Sequence, residues 1–274
     1  MRTLLLGCVG LLMAAGGARA AAPEAGIEAV TKPSADVTLS FSRPGRVAEV
    51  RVREGDTVKP DDLLVRLDDE AERIEVDQLK AQADDLIRIK AAEAQVVQKK
   101  EDLKKLEWAG KEGAATQWEI EHARLEVVIG ELSTDLARFN QRQDRYKYEV
   151  AKAQLDRMRL PSPVAGKVEE VMVEVGEAAD PNTKVIRVVK TDVLWADVPV
   201  PLAVGRTLVA GQMAQVEFPQ SDGKGVDGKV LYAAAVADAA SETLIVRVEI
   251  SNPSGRPAGE RVRVRFPAPA AGSK

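Results

Sequence analysis

Residues 45–69 read GRVAEVRVREGDTVKPDDLLVRLDD, and residues 166–190 read GKVEEVMVEVGEAADPNTKVIRVVK. The second stretch begins 121 residues after the first, and the two align without a gap. Eight of the 25 positions are identical, among them Gly45/Gly166, Val47/Val168, Val50/Val171, Val52/Val173, Gly55/Gly176 and Pro60/Pro181. Each copy carries the same physical signals. Val50 and Val52, like Val171 and Val173, alternate as in a strand with one buried face. Gly55-Asp56 and Gly176-Glu177 supply a turn in which positive φ meets no Cβ clash. A proline-containing loop then leads to a second short strand, 63–67 or 185–189. One copy is too small to bury a core alone. The repeat therefore predicts two halves closing on each other as a pseudo-twofold β-sandwich.

The intervening residues, 70–159, are of another kind. From Glu70 to Trp108 there is no Pro or Gly, and Ala, Gln, Glu and Lys abound, which favours helix. Leu79 and Leu86 are seven apart, as are Ile89, Val96 and Leu103. Gly110 and Gly113 interrupt the pattern. A second arm follows in which Leu125, Ile129, Leu132, Leu136, Phe139, Gln143, Tyr146, Val150 and Ala153 alternate steps of four and three. That spacing predicts the seam of a left-handed coiled coil, ended by Pro161. Two arms of about 55–65 Å, at about 1.5 Å per residue, must run antiparallel and return the chain to its starting point.

These motifs identify a resemblance. Gly45 to Val58 resembles the first half of a biotinyl/lipoyl-like domain, with Gly45, Gly55, Gly166 and Gly176 as the turn glycines of the two halves. Pro163-Val164-Ala165-Gly166-Lys167-Val168 resembles the start of the second half. In carrier domains the halves meet at a hairpin bearing the modified lysine, and that hairpin is replaced here. The split arrangement is similar to the periplasmic adaptor subunits, or membrane fusion proteins, of the haemolysin-secretion D and resistance-nodulation-division (RND) types. The fold implied is α+β, elongated and multi-domain: a lipoyl-like β-sandwich split by an antiparallel α-helical coiled-coil hairpin, followed by a small β-barrel.

The hairpin tip carries a second likeness. Residues 113–123, GAATQWEIEHA, resemble the family tip pattern Gly-Ala-Ile-Ser-x-x-Glu-Leu-Asp-x-Ala, and Lys105-Leu106 stands where that pattern has Arg-Leu. The resemblance implies that Lys105, Leu106, Gly113, Ala114, Thr116, Glu119, Glu121 and Ala123 meet the periplasmic end of an outer-membrane channel. Lysine at 105 departs from the pattern, because it lacks the planar fork of arginine. Part of the motif needs no partner: Thr116 followed by Glu119 is a capping box that would start any helix.

Beyond residue 190 short strands recur, with the phrase Arg247 to Arg256 resembling the adaptor β-barrel. Strands are expected around 192–198, Val204-Gly205, 211–218, 228–230, 243–250 and 261–266. Many RND adaptors continue into a membrane-proximal domain, for which only Glu24 to Asp36 are left over. The expected organisation is a signal peptide (1–20), an N-terminal extension (21–36), the first half-domain (37–69), the hairpin (70–159), the second half-domain (160–190), the barrel (191–267) and a tail (268–274).

The N-terminus predicts export. Arg2 precedes an apolar run of about 14 residues, shorter than the roughly 18 a membrane span requires, and Ala18-Arg19-Ala20 places cleavage after Ala20. A lipid anchor on Cys8 would leave most of the apolar run behind the cut, so the unanchored reading is preferred. Removal of Arg2 and Arg19 takes the net charge from −4 to −6, which argues against nucleic acid. Cys8 is the sole cysteine and His122 the sole histidine. One protomer therefore lacks a thiolate or His/Cys metal site, and His122 lies at the hairpin tip rather than in a pocket. The expectation is a non-enzymatic periplasmic adaptor with no cofactor, no metal and no transmembrane segment in the mature chain. Its partners would be an inner-membrane transporter (RND or ABC type), an outer-membrane channel protein and further copies of itself, a hexamer by family analogy. The competing reading is a soluble envelope protein that delivers a bound substrate or metal to a pump.

Overall fold

The computed structural model describes residues 26–219 and 225–267. The expected signal segment, its cleavage point, Cys8 and the tail from 268 lie outside the described residues. Two compact units emerge: residues 35–190, and the chain before and after them.

Within residues 35–190 the repeat becomes a domain. Strand β1 (Ile27–Leu39) leads in, followed by β2 (Gly45–Val50), β3 (Thr57–Val58) and β4 (Leu63–Leu67). The second copy supplies β5 (Arg159–Pro161), β6 (Gly166–Val171), β7 (Ala178–Ala179) and the start of β8 (Ile186–Pro201). The short strands are exchanged: β3 pairs with β6, and β7 pairs with β2. Phe41, Val47, Leu64, Leu67, Val168 and Ile186 are buried in one core drawn from both halves. Each such side chain contributes about 1.5–3 kcal/mol on burial, and neither half could collect them alone.

The four glycines divide into two kinds. Gly55 and Gly176 hold turns at φ of 91° and 97°. Gly45 and Gly166, expected in turns, instead open strands where another chain segment passes closely. A Cβ on Gly166 would come within 2.4 Å of the Val189 carbonyl oxygen, and one on Gly45 within 2.9 Å of Leu67 Cδ1.

The hairpin departs from expectation twice. Its first arm is two helices, α1 (Glu70–Asp84) and α2 (Ile87–Lys111), packed along α3 (Gln117–Asp156). Val76, Leu79 and Ala83 face inward, and so do Ile89, Ala92 and Val96, but six residues separate Ala83 from Ile89 where a heptad needs seven. Asp85 absorbs the deficit in an extended conformation, φ −74° and ψ 112°. Its carboxylate accepts the Ile87 amide at 2.8 Å, and Gln141 Nε2 donates to the Ala83 carbonyl at 2.8 Å. Leu86, expected in the seam, is exposed.

The second departure concerns α3. Its inward face is Ala123, Val127, Gly130, Thr134, Ala137 and Gln141, again in steps of four and three. The expected seam from Leu125 to Val150 points outward, with Leu132 62% and Tyr146 62% exposed. Side-chain size decides between the two faces. A Cβ on Gly130 would lie 3.1 Å from Val96 Cγ2, so the small-residue face lets the arms approach where the large one would hold them apart. Ion pairs across the arms accompany this packing, including Lys99–Glu126 and Lys100–Glu131, both 2.6 Å. At the root, buried Asp69 receives Arg66 at 2.6 Å and Arg73 at 3.1 Å.

The second unit is a closed barrel. After β8 come α4 (Leu202–Gly205), β9 (Met213–Glu217), β10 (Val226–Ala233), β11 (Thr243–Ser251) and β12 (Arg261–Arg265). The strand order is β1-β12-β9-β10-β11-β8, and β1 also pairs with β8. The expected N-terminal extension is thus in part a barrel strand: Ile27 to Val30 pair with Val264 to Arg261, and Ala29 and Thr31 are buried. Closure satisfies an edge that β12 would otherwise expose. Val204-Gly205, expected to be strand, form a helical turn. Gly205 lies against Leu244, where a Cβ would meet the leucine side chain at 3.0 Å. Strand β8 does not stop at 190 but continues to Pro201, opposite Thr243.

Candidate functional site: the hairpin tip

The turn between α2 and α3 is built by short-range bonds. Gly113 sits at φ 76° with open space around its Cα. The Ala114 amide returns to the Ala109 carbonyl at 2.8 Å. Thr116 then caps α3: its hydroxyl accepts the Glu119 amide at 3.3 Å, while the Glu119 carboxylate accepts the Thr116 amide at 2.7 Å and its hydroxyl at 2.8 Å. These bonds, the backbone amide first, hold the Glu119 carboxyl below the usual carboxylate range.

The structure brings some of the expected residues together and separates others. Leu106, Glu119 and Ala123 line one open cleft of about 370 Å³ with Lys99, Trp118 and His122. Lys105 does not line the cleft but pairs at 3.4 Å with Asp102, which does. Glu121 faces elsewhere, accepting from Gln117 and Arg124 at 3.0 Å each, while Arg124 also reaches Glu107 at 2.8 Å. His122, expected outside any pocket, lines this cleft and stacks on Trp118 with ring centroids 5.2 Å apart and planes 4° from parallel. Trp118 is 72% exposed and Trp108 68% exposed. The sequence does hold a signal for the pair, since positions 118 and 122 are one helical turn apart. Glu126 closes the cleft edge, its carboxyl lowered by the Lys99 hydrogen bond.

Trp118 thus leaves an exposed aromatic face beside half-buried Leu106 and the Lys99–Glu126 ion pair. Among the described residues, no three His, Cys, Asp or Glu side chains group as metal ligands, and no helix is long and apolar enough to cross a membrane.

Residues 193–270 match the CusB-like β-barrel domain family. The whole fold compares with MacA from Actinobacillus actinomycetemcomitans at a TM-score of 0.68 and 16% identity, over 88% of this chain and 77% of that one. The chain has the fold of a membrane fusion protein. The membrane fusion protein Spr0693 from Streptococcus pneumoniae R6 gives a TM-score of 0.62 at 15% identity, covering 89% of this chain and 99% of its own. A MacA–MexA chimera carrying the Pseudomonas aeruginosa MexA α-hairpin domain gives 0.53 at 14% identity, over 88% and 80%. No curated protein sequence matches the chain.

Proposed function

We propose that this protein is a periplasmic adaptor, exported by cleavage after Ala20, that joins an inner-membrane transporter of RND or ABC type to an outer-membrane channel. The hairpin tip is the surface offered to the channel. The observation that carries this reading is the open cleft that half-buried Leu106 shares with exposed Trp118, at the end of a helical pair about 60 Å long, taking 40 residues of α3 at about 1.5 Å each. Such a distal apolar spot has no role in holding the β-units together. Several tips meeting a channel rim would gain affinity through their linkage.

Two variants test it. Leu106→Asp places a charge in the apolar cleft. Gly113→Pro demands φ near −65° where the turn needs 76° and removes the amide that donates to Gly110. Each should abolish export in cells while the purified protein keeps its melting temperature. Normal export by Leu106→Asp cells at wild-type protein level would show that the tip is not the docking surface.

A further inference from the structure

The outward face of α3 is a second, unused coiled-coil seam. Leu125, Ile129, Leu132, Leu136, Phe139, Gln143, Tyr146 and Val150 repeat in steps of four and three over about 38 Å of helix. All but Gln143 count among the exposed large hydrophobic side chains, and Leu136 is 60% exposed. A run of this length is far more than the scattered apolar residues of an ordinary surface. The first arm offers no match: its exposed Ile74, Leu86, Ile87, Val97 and Trp108 follow no heptad spacing. A membrane surface fits poorly as well, because Glu126, Glu131 and Asp135 flank the first half of the seam, where a lipid-binding helix carries basic residues.

We propose that this seam is covered by the same seam of a second copy of the chain, with the two α3 helices antiparallel about a twofold axis between Leu136 and Phe139. In that register Leu136 meets Phe139 of the second copy, Leu132 meets Gln143, Ile129 meets Tyr146 and Leu125 meets Val150. The flanking charges select this direction. Antiparallel pairing sets Glu126 opposite Lys147 and Asp135 opposite Arg142, and the symmetry makes each pair twice. Parallel pairing would instead set Arg142 beside Lys147, a like-charge contact, also twice. Lys99 holds only Oε2 of Glu126, and the existing partners of Lys147 and Asp135 are neighbours three residues away on the same helix, Asp144 at 2.9 Å and Arg138 at 3.7 Å, which share the cation or carboxylate with the second copy. Gln143, a lone polar residue in the seam, penalises other registers. The pair points the two tips in opposite directions, so it is a resting form that must part before tips can face one channel together.

Cysteine placement tests the geometry in the full chain carrying Cys8→Ser, which removes the sole native thiol. Leu125→Cys and Val150→Cys are prepared separately, oxidised alone and oxidised as a mixture. Covalent dimer in the mixture, with little in either variant alone, is the expected result. Dimer in each variant alone indicates parallel pairing and overturns the proposal. A chain that stays monomeric in sedimentation and forms no cross-link also overturns it, and assigns the seam to another protein. The exposed charges give a control that leaves folding intact. Asp135→Arg should weaken self-association at least tenfold, and adding Arg142→Asp should restore it; failure of that rescue equally counts against the pairing.

Discussion

The Gly55 amide donates to the Val168 carbonyl at 2.8 Å, and the Gly176 amide donates to the Val47 carbonyl at the same distance. The bonds are images of each other under the 121-residue offset. Return bonds follow, from Val47 to Glu177 at 2.8 Å and from Val168 to Asp56 at 2.9 Å. Even the turn carboxylates repeat: Asp56 accepts the Arg53 amide at 2.8 Å and Glu177 the Glu174 amide at 2.9 Å. Each half therefore holds the other's turn, and this reciprocity lets one domain survive an insertion of three helices.

The two kinds of glycine should separate on substitution. Gly55→Ala meets no neighbour, so it costs about 1–2 kcal/mol through positive φ alone. Gly166→Ala forces a Cβ into the Val189 backbone, and should exceed the about 1–3 kcal/mol of ordinary overpacking. Urea unfolding measures both. Equal losses would mean that the strand crossing at Gly166 relaxes readily.

Because the halves bind each other directly, the hairpin is dispensable for folding. Replacing residues 83–143 with a short glycine-rich turn should lower helix content yet leave a cooperative unfolding transition for the sandwich, read by hydrogen exchange of the reciprocal amides of Gly55, Val47, Val168 and Gly176. Loss of that transition would mean the arms hold the halves together.

The break at Asp85 follows from a missing residue. Inserting one alanine between Leu86 and Ile87 makes the step from Ala83 seven residues and returns Leu86 to the seam. Helices α1 and α2 should then fuse, with amides around position 85 newly protected from hydrogen exchange. Unchanged exchange there would show that Asp85 itself, through its bond to Ile87, enforces the break.

In the barrel, Asp197 accepts Arg247 Nε at 2.7 Å and Lys32 at 3.0 Å, while Arg247 lies over the Trp195 ring at 4.7 Å. Hydrogen bonds from Arg247 outweigh partial burial and lower the Asp197 pKa. A lowered folded-state pKa stabilises the native chain above the ordinary carboxylate range and is lost as pH falls through it. Asp197→Asn should therefore lower the melting temperature at neutral pH, with the gap to wild type closing below about pH 4. A gap independent of pH would assign the loss to packing.

The amino-acid sequence alone determined the repeat, the helical insertion, the capping box at Thr116 and most barrel strands. Each is a local pattern: Val50 and Val52 alternate, Gly55 permits a turn, and Thr116 and Glu119 are three residues apart. The residues of the tip were legible as a motif, but their division was not. Leu106 and Ala123 share a cleft with Trp118 and His122, which Lys105 and Glu121 do not line, because helix phase at a hairpin end depends on how both arms pack. Only tertiary structure decided which of α3's two heptad faces points inward. Hydrophobicity favours the Leu125–Val150 face, yet close approach to Val96 requires the small side chain of Gly130 and its neighbours. Tertiary structure also carried residues 27–30 into the barrel, since a strand finds its partner more than 200 residues away through an open edge that no local pattern displays.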